Sequence, residues 1–335
     1  MTSVKWIKRA AYCDLPVLMF HVKGFSDQRK RLDVPSQDEL EKYLAAGRLA
    51  ARALERAYDV VEDGRSALEV CEELEEIIWS EAMPAFPCNL SQGPIAAHYT
   101  PAPGDTLRID GKNIVKVDLG ACVDGYLSDS AVSIAWGGEN ERLAEAAREA
   151  LHMGISQITP GSPLSRFGHV IEEYARALGL RPIVNLAGHR LGPYELHTGV
   201  SVPNVDADVP GRFEPHSAYA LEPFLVPREG AGRVVDSTPS NIFRLTSRKI
   251  PKDPQLARVA SHIWERYRGL PFASRWIVRE LGEGALEALR TLRSMGIVYE
   301  YRTLVEAKGV QVAQFEHTVF IGESEVIVTT RRRNE

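Results

Sequence analysis

Two aspartates in the stretch KVDLGACVDGYLSDSA, Asp118 and Asp129, stand eleven residues apart on either side of Asp124-Gly125. An Asp-Gly pair between two alternating apolar runs signals a two-residue hairpin turn. That turn opposes Val123 to Tyr126 and Asp118 to Ala131, and it puts Asp129 on the face of Ala131, diagonal to Asp118. Two carboxylates on one face of strands rich in Val, Ile and Leu repel each other and resist desolvation. A bound cation removes both costs. A solvent-facing edge hairpin accounts for the pair as well, and the hairpin alone leaves the two readings level. Asp124 is explained by the turn itself.

Further ligand types follow downstream. His189 comes after Gly188 in PIVNLAGH, His197 lies eight residues on in YELHTGVSVPN, Glu222 sits in AYALEPF and Glu316 in AQFEHTVFI. One glutamate in an apolar strand is ordinarily half of a salt bridge. Two of them, with the aspartate pair and one imidazole, match a two-metal site in which carboxylates bridge ions about 3.5–4 Å apart. An oxygen-rich set with one histidine suits Co, Mn, Fe(II) or Zn and does not choose among them. His98, in AAHYTP, is by itself a loop histidine. His317 adjoins Glu316 but points to the opposite sheet face.

These residues must be positioned by a mixed set of elements. Capping boxes at Ser36–Glu39 and Ser66–Glu69 open two adjacent amphipathic helices, the first ended by Asp63-Gly64 and the second by Pro84 and Pro87. Strands over 114–121 and 126–136 form the hairpin. Helices over 139–155 and 163–178 follow, the second closed by Gly179, then strands over 183–185, 217–226 and 232–236. Helix, helix, hairpin, helix, helix, strands reads as one unit used twice. Asp253-Pro254 opens a helical block, 251–295, that interrupts the second unit before a last strand-like stretch, 311–330. Residues 1–35 show no sustained period.

The chain has 335 residues, a formal charge of −5, 44% hydrophobic and 25% charged residues. That composition excludes collagen-like, mucin-like and disordered classes. Forty Lys and Arg against 45 Asp and Glu give no overall positive field, so no specific nucleic acid is expected as partner, and no strong basic surface is expected either. Arg331, Arg332 and Arg333 read as a solvated end. The four cysteines, at 13, 71, 88 and 122, show no metal or disulfide spacing and suit a reducing compartment. The apolar run Leu15–His21 is too short to span a membrane, so the expected location is the cytoplasm.

Six motifs in order, PAFPCNLS (84–91), AAHYTP (96–101), VKVDLGACVDGYLSDSAV (115–132), NLAGHRLGPYELHTGVSVPN (185–204), YALEPF (219–224) and AQFEHTVFI (313–321), resemble the type II methionine aminopeptidases, closest in size to the archaeal members. The resemblance spans roughly 37–330. It implies an α+β pita-bread fold with pseudo-twofold αα/ββ halves and a helical, winged-helix-like insertion in the C-terminal half. The 94 positions between Glu222 and Glu316 accommodate that insertion. The expected division is an N-terminal extension over 1–36, a catalytic domain over 37–330 and a helical subdomain over 245–305 within it.

By the same resemblance the metal ligands are Asp118, Asp129, His189, Glu222 and Glu316, holding two divalent ions (Co, Mn, Fe or Zn). Asp129 and Glu316 would bridge them. His98, His197 and Glu222 are the catalytic residues, and Phe86, Leu196 and Tyr301, with the two histidines, contact the substrate. The implied activity is removal of the initiator methionine from nascent proteins and peptides by a hydroxide activated between the ions. The implied partners are N-terminal Met-peptides and, transiently, the ribosome, with the protein a monomer. Xaa-Pro dipeptidases share the five-ligand set, and non-catalytic pita-bread binding proteins share the fold; both stand as alternatives. Three departures touch pocket shape: the extension, the charged LVPREGAGRVVDS stretch, and Arg302 where a proline is common.

Overall fold

The computed structural model describes residues 37–333 and 335. The expected extension over 1–36, with Cys13, the Leu15–His21 run and the cap Ser36, lies outside them. Two helices come first, α1 (Gln37–Val60) and α2 (Ala67–Trp79). The second is capped as its sequence dictates, Ser66 Oγ accepting from the Glu69 N–H at 3.4 Å. Then come β1 (Met83–Gln92), β2 (Ile95–Ala97), β3 (Val115–Val123), β4 (Tyr126–Leu127) and β5 (Ser130–Ile134). A second pair of helices, α3 (Gly138–Ser156) and α4 (Ser165–Ala177), precedes β6 (Leu180–Pro182), β7 (Ala187–Leu191), β8 (Ser201–Pro203), β9 (Ser217–Leu221), β10 (Phe224–Pro227) and β11 (Val234–Leu245). The helical insertion holds α5 (Pro254–Tyr267), β12 (Phe272–Ala273), α6 (Ser274–Leu281) and α7 (Ala285–Ser294). The chain closes with β13 (Val298–Glu306), β14 (Ala313–Gln314), β15 (His317–Ile321) and β16 (Val326–Val328). Two helices followed by antiparallel strands, twice over, make the pita-bread α+β arrangement.

The hairpin has the expected register: Val123 opposes Tyr126 and Asp118 opposes Ala131. Asp124 and Gly125 both take positive φ, 51° and 94°, as a turn matched to strand twist requires. Four strand expectations need correction, the first being the 126–136 strand, which breaks at Ser128-Asp129 into β4 and β5. The strand expected over 183–185 is a connection, with β6 before it and β7 after it. The 217–226 strand breaks at Glu222-Pro223, where proline supplies no N–H. The 311–330 strand breaks at Phe315-Glu316 and again before Val326.

The breaks at Glu222-Pro223 and Phe315-Glu316 share one cause. β9 and β15 pair in a five-stranded sheet ordered β16-β15-β9-β7-β8, while β10 and β14 pair in a three-stranded sheet, β14-β10-β6. The chain crosses between the two sheets at the same rung. Leu221 opposes His317 on one side of it and Phe224 opposes Gln314 on the other, so Glu222 and Glu316 face each other at the seam. An isolated bridge joins Ala131 to Glu316, the Glu316 N–H donating to the Ala131 carbonyl at 3.0 Å, and so ties the hairpin to the seam.

The main apolar core fills the space between the four long helices and the sheets, with Leu54, Leu74, Leu151, Phe167 and Val319 fully enclosed. The insertion has its own core of Val259, Ile263, Tyr267, Trp276, Leu289 and Leu292. Buried Glu75 on α2 links it to the body. Glu75 accepts from the Arg275 guanidinium, from Trp276 Nε1 at 2.8 Å and from the Cys88 N–H at 2.9 Å. Arg275 also donates to Thr100 Oγ1 at 2.7 Å. One expectation about charge changes here. Between 245 and 305 eleven Lys and Arg stand against six Asp and Glu, and all eleven but Arg275 are exposed. The insertion therefore presents the basic surface that the overall charge concealed.

Candidate metal centre

Asp118 leaves the middle of β3, Asp129 the gap between β4 and β5, His189 the middle of β7, and Glu222 and Glu316 the seam between sheets. Glycine at 188 is what lets β7 approach β9 there: a methyl group on it would lie 2.4 Å from the Ala220 carbonyl oxygen. Asp129 is anchored through its backbone, its N–H donating to Thr318 Oγ1 at 2.7 Å and its carbonyl accepting from the same hydroxyl at 2.8 Å. Gln314 Nε2 donates to Glu316 Oε2 at 3.3 Å. Asn204 Nδ2 donates to the backbone carbonyls of Leu186 and Glu222, both at 3.0 Å, and holds the seam from the side.

The side chains converge. His189 Nε2 lies 3.5 Å from Asp129 Oδ2 and 3.7 Å from Glu222 Oε1. Asp129, His189 and Glu316 each offer a ligand atom within 4.8 Å of the other two. The side chains of His189, Asp129 and Glu222 are 7, 6 and 15% exposed, and Asp118 and Glu222 are the two carboxylates of the set that are not fully buried. Asp118 Oδ1 and Glu316 Oε1 are buried without a hydrogen-bond partner.

Burial and mutual repulsion set the protonation of this cluster. Burial first, then the neighbouring Asp129, hold the Asp118 and Glu316 carboxyls well above the usual carboxylate range. Burial, Asp129 and Asp118 do the same to Glu222. Burial pushes Asp129 up as well. Burial lowers His189 to about 4, against a smaller opposing effect of the Leu196 carbonyl. Such a set is costly as bare anions and neutral as a metal-binding pocket. The orphaned buried oxygens and the four carboxyls around one unprotonated imidazole fit divalent ions of the Mn, Fe, Co or Zn type.

The His197 ring lies against that of His189, tilted by 37° with centroids 4.0 Å apart. His197 is exposed, yet the protein packed about its ring, with His189, His98 and Arg244, holds its pKa well below the ordinary value. His98 sits at a strained φ of 63°, with Nδ1 3.3 Å from the Arg302 carbonyl oxygen and its ring edge-to-face with Tyr301 at 5.3 Å. Phe86 and Leu196 belong to one apolar cluster with Leu127, Leu191, Ala220 and Leu270. Tyr301 stands apart from that cluster, against His98 and Tyr299.

Sequence reasoning missed four contributors. Thr318 and Gln314 look like ordinary alternation on either side of Glu316. Arg244, near His197 and Tyr301, lies 20 residues beyond the YALEPF motif. Leu270 reaches the Phe86 cluster from the insertion. Only the alternation about Glu316 offered a signal, since Gln314 and Thr318 share its face in a period-two strand.

The profile of metallopeptidase family M24 matches residues 41–323. The methionine aminopeptidase of Pyrococcus abyssi is 39% identical over 302 residues, covering 87% of this chain and 99% of that protein. Among solved structures, a thermophilic Arx1 superposes with a TM-score of 0.76 at 16% identity, covering 88% of this chain and 91% of that one. The methionine aminopeptidase of Thermotoga maritima gives 0.64 at 24%, covering 90% and 99%. Both structures speak for the fold alone. With the converging acidic cluster and a match along most of its length, the chain belongs to metallopeptidase family M24, among its methionine aminopeptidases.

Proposed function

We propose that the protein removes the initiator methionine from nascent proteins and peptides with two divalent ions held by Asp118, Asp129, His189, Glu222 and Glu316. The observation that carries this reading is the convergence of four buried carboxyls on one unprotonated imidazole, with carboxylate oxygens left unpartnered. The bound ions would supply polarisation of the scissile carbonyl and an acidified water. His197, kept neutral, retains an N–H to donate where negative charge develops on the carbonyl oxygen. Glu222 can take a proton at a carboxylate oxygen and return it to the leaving amine. His98, with the Arg302 carbonyl behind it, orients the peptide. Phe86 and Leu196, extended by Leu270, form the wall for the methionine side chain, and Tyr301 closes the side near His98.

We further read residues 37–330 as the catalytic domain and 245–305 as a subdomain, an assignment supported by the separate core of the insertion. The protein acts as a monomer in the cytoplasm. Transient contact with the ribosome is supported by the basic surplus of the insertion. No helix among the described residues is long and apolar enough to cross a membrane.

Loaded with Mn(II) or Co(II), the protein should release methionine from Met-Ala-Ser and leave Xaa-Pro dipeptides intact. EDTA should stop the release, and Glu316→Gln should abolish it. Turnover of Xaa-Pro dipeptides instead would move the protein to the dipeptidases of the same fold, and normal methionine release by Glu316→Gln would remove the site.

A further inference from the structure

His152, His317 and Glu335, none of them given a role above, bring two imidazoles and a carboxylate together. One ligand atom of each lies within 4.8 Å of the other two. They come from α3, from β15 and from the end of the chain. We propose that this cluster is a separate metal site, of the two-histidine, one-carboxylate kind, for a borderline divalent ion such as Zn(II) or Cu(II).

The distances suit such an ion. His317 Nε2 is 3.2 Å from Glu335 Oε2, and His152 Nε2 is 3.9 Å from Glu335 Oε1. Nitrogen and oxygen ligands about 2.0–2.2 Å from a tetrahedral zinc stand roughly 3.2–3.6 Å from each other. A small swing of His152 closes the set, and His152 is the one free to swing, at 36% exposure against 2% for His317. The other ring nitrogen of His317, Nδ1, lies 2.9 Å from Thr330 Oγ1. An outer hydrogen bond of this kind fixes the tautomer and direction of a ligating histidine. The exposed side of His152 leaves an access route and room for water ligands.

Arg332, and at longer range Arg148, put positive charge beside Glu335. Arg332 pairs with Glu335 through Oε1, and its backbone N–H reaches Oε2 at 3.4 Å. Arg148 is itself held by Glu145 and Glu149. With its carboxylate already shared, the site has little to offer Mg(II) or Ca(II), which bind through oxygen charge. Zn(II) and Cu(II) draw their affinity from the two imidazoles. Occupancy would staple the chain end to α3 and to the strand that follows Glu316.

The test counts metal on the full chain. Dialysed against Zn(II), wild-type protein should hold one equivalent more than His152→Ala, with methionine release from Met-Ala-Ser unchanged in the variant. With Cu(II), the wild type should show an electron paramagnetic resonance signal with two nitrogen ligands that the variant lacks. Glu335→Gln should weaken Zn(II) at this site by at least about tenfold. Equal stoichiometry and identical spectra in wild type and His152→Ala would overturn the proposal, as would unaltered affinity in Glu335→Gln.

Discussion

Asp129 meets the rest of the molecule at three separate points. Its backbone N–H and carbonyl are both taken by Thr318, its Oδ2 faces His189, and its carboxyl lies beside Glu316. The backbone is thus pinned and the charge left to be neutralised by whatever binds. This has a measurable consequence for metal uptake. Without a cation, burial and repulsion raise the carboxyls of Asp118, Glu222 and Glu316 well above their usual range and burial raises Asp129 to about 7, while burial lowers His189 to about 4. Metal must therefore displace carboxyl protons and no imidazole proton. Binding should release protons at pH 7, and apparent affinity should climb with pH through the neutral range, by up to about tenfold per pH unit for each proton displaced. Calorimetry of Mn(II) binding in buffers of different ionisation enthalpy reads that number, and a proton count of zero at pH 7 contradicts the charge arrangement.

Elements explain why the residues meet and why part of this was legible beforehand. The hairpin could be read to the residue, because Asp124-Gly125 fixes a two-residue turn and the turn fixes the register of Asp118 and Ala131. The cap that opens α2 at Ser66 was legible for the same local reason. The seam was not. That Glu222 and Glu316 stand opposite each other depends on two strands 94 positions apart switching sheets at one rung, and neither local sequence records the other. Arg275 was equally hidden, being one more arginine in a basic helix until α2 brings Glu75 to it. Its removal should be expensive. Arg275→Met leaves a buried carboxylate facing only Trp276 and the Cys88 N–H, and should cost about 3–5 kcal/mol in chemical denaturation. Pairing it with Glu75→Leu should recover most of that, since no charge is then stranded. A mild single mutant would mean that Glu75 is already protonated in the native protein.

For the whole molecule, a formal charge of −5 is the sum of two unlike parts: an insertion with a surplus of five positive charges and a remainder that is strongly acidic. Total charge says little about surface when a chain is divided in this way. The division has a further consequence. Leu245 and Val298 are opposite each other in the β11–β13 ladder, so the chain departs for the insertion and comes back at the same rung. An excursion of that shape is detachable in principle. Residues 246–297 could be exchanged for a two-residue turn without re-threading a strand, provided Glu75→Gln accompanies the cut to spare an abandoned charge. The excised part takes Leu270 with it, the one side chain the insertion lends to the Phe86 cluster. A trimmed enzyme should still take up metal and cleave, but should accept bulkier first residues than methionine, which makes the insertion a module through which selectivity could be traded.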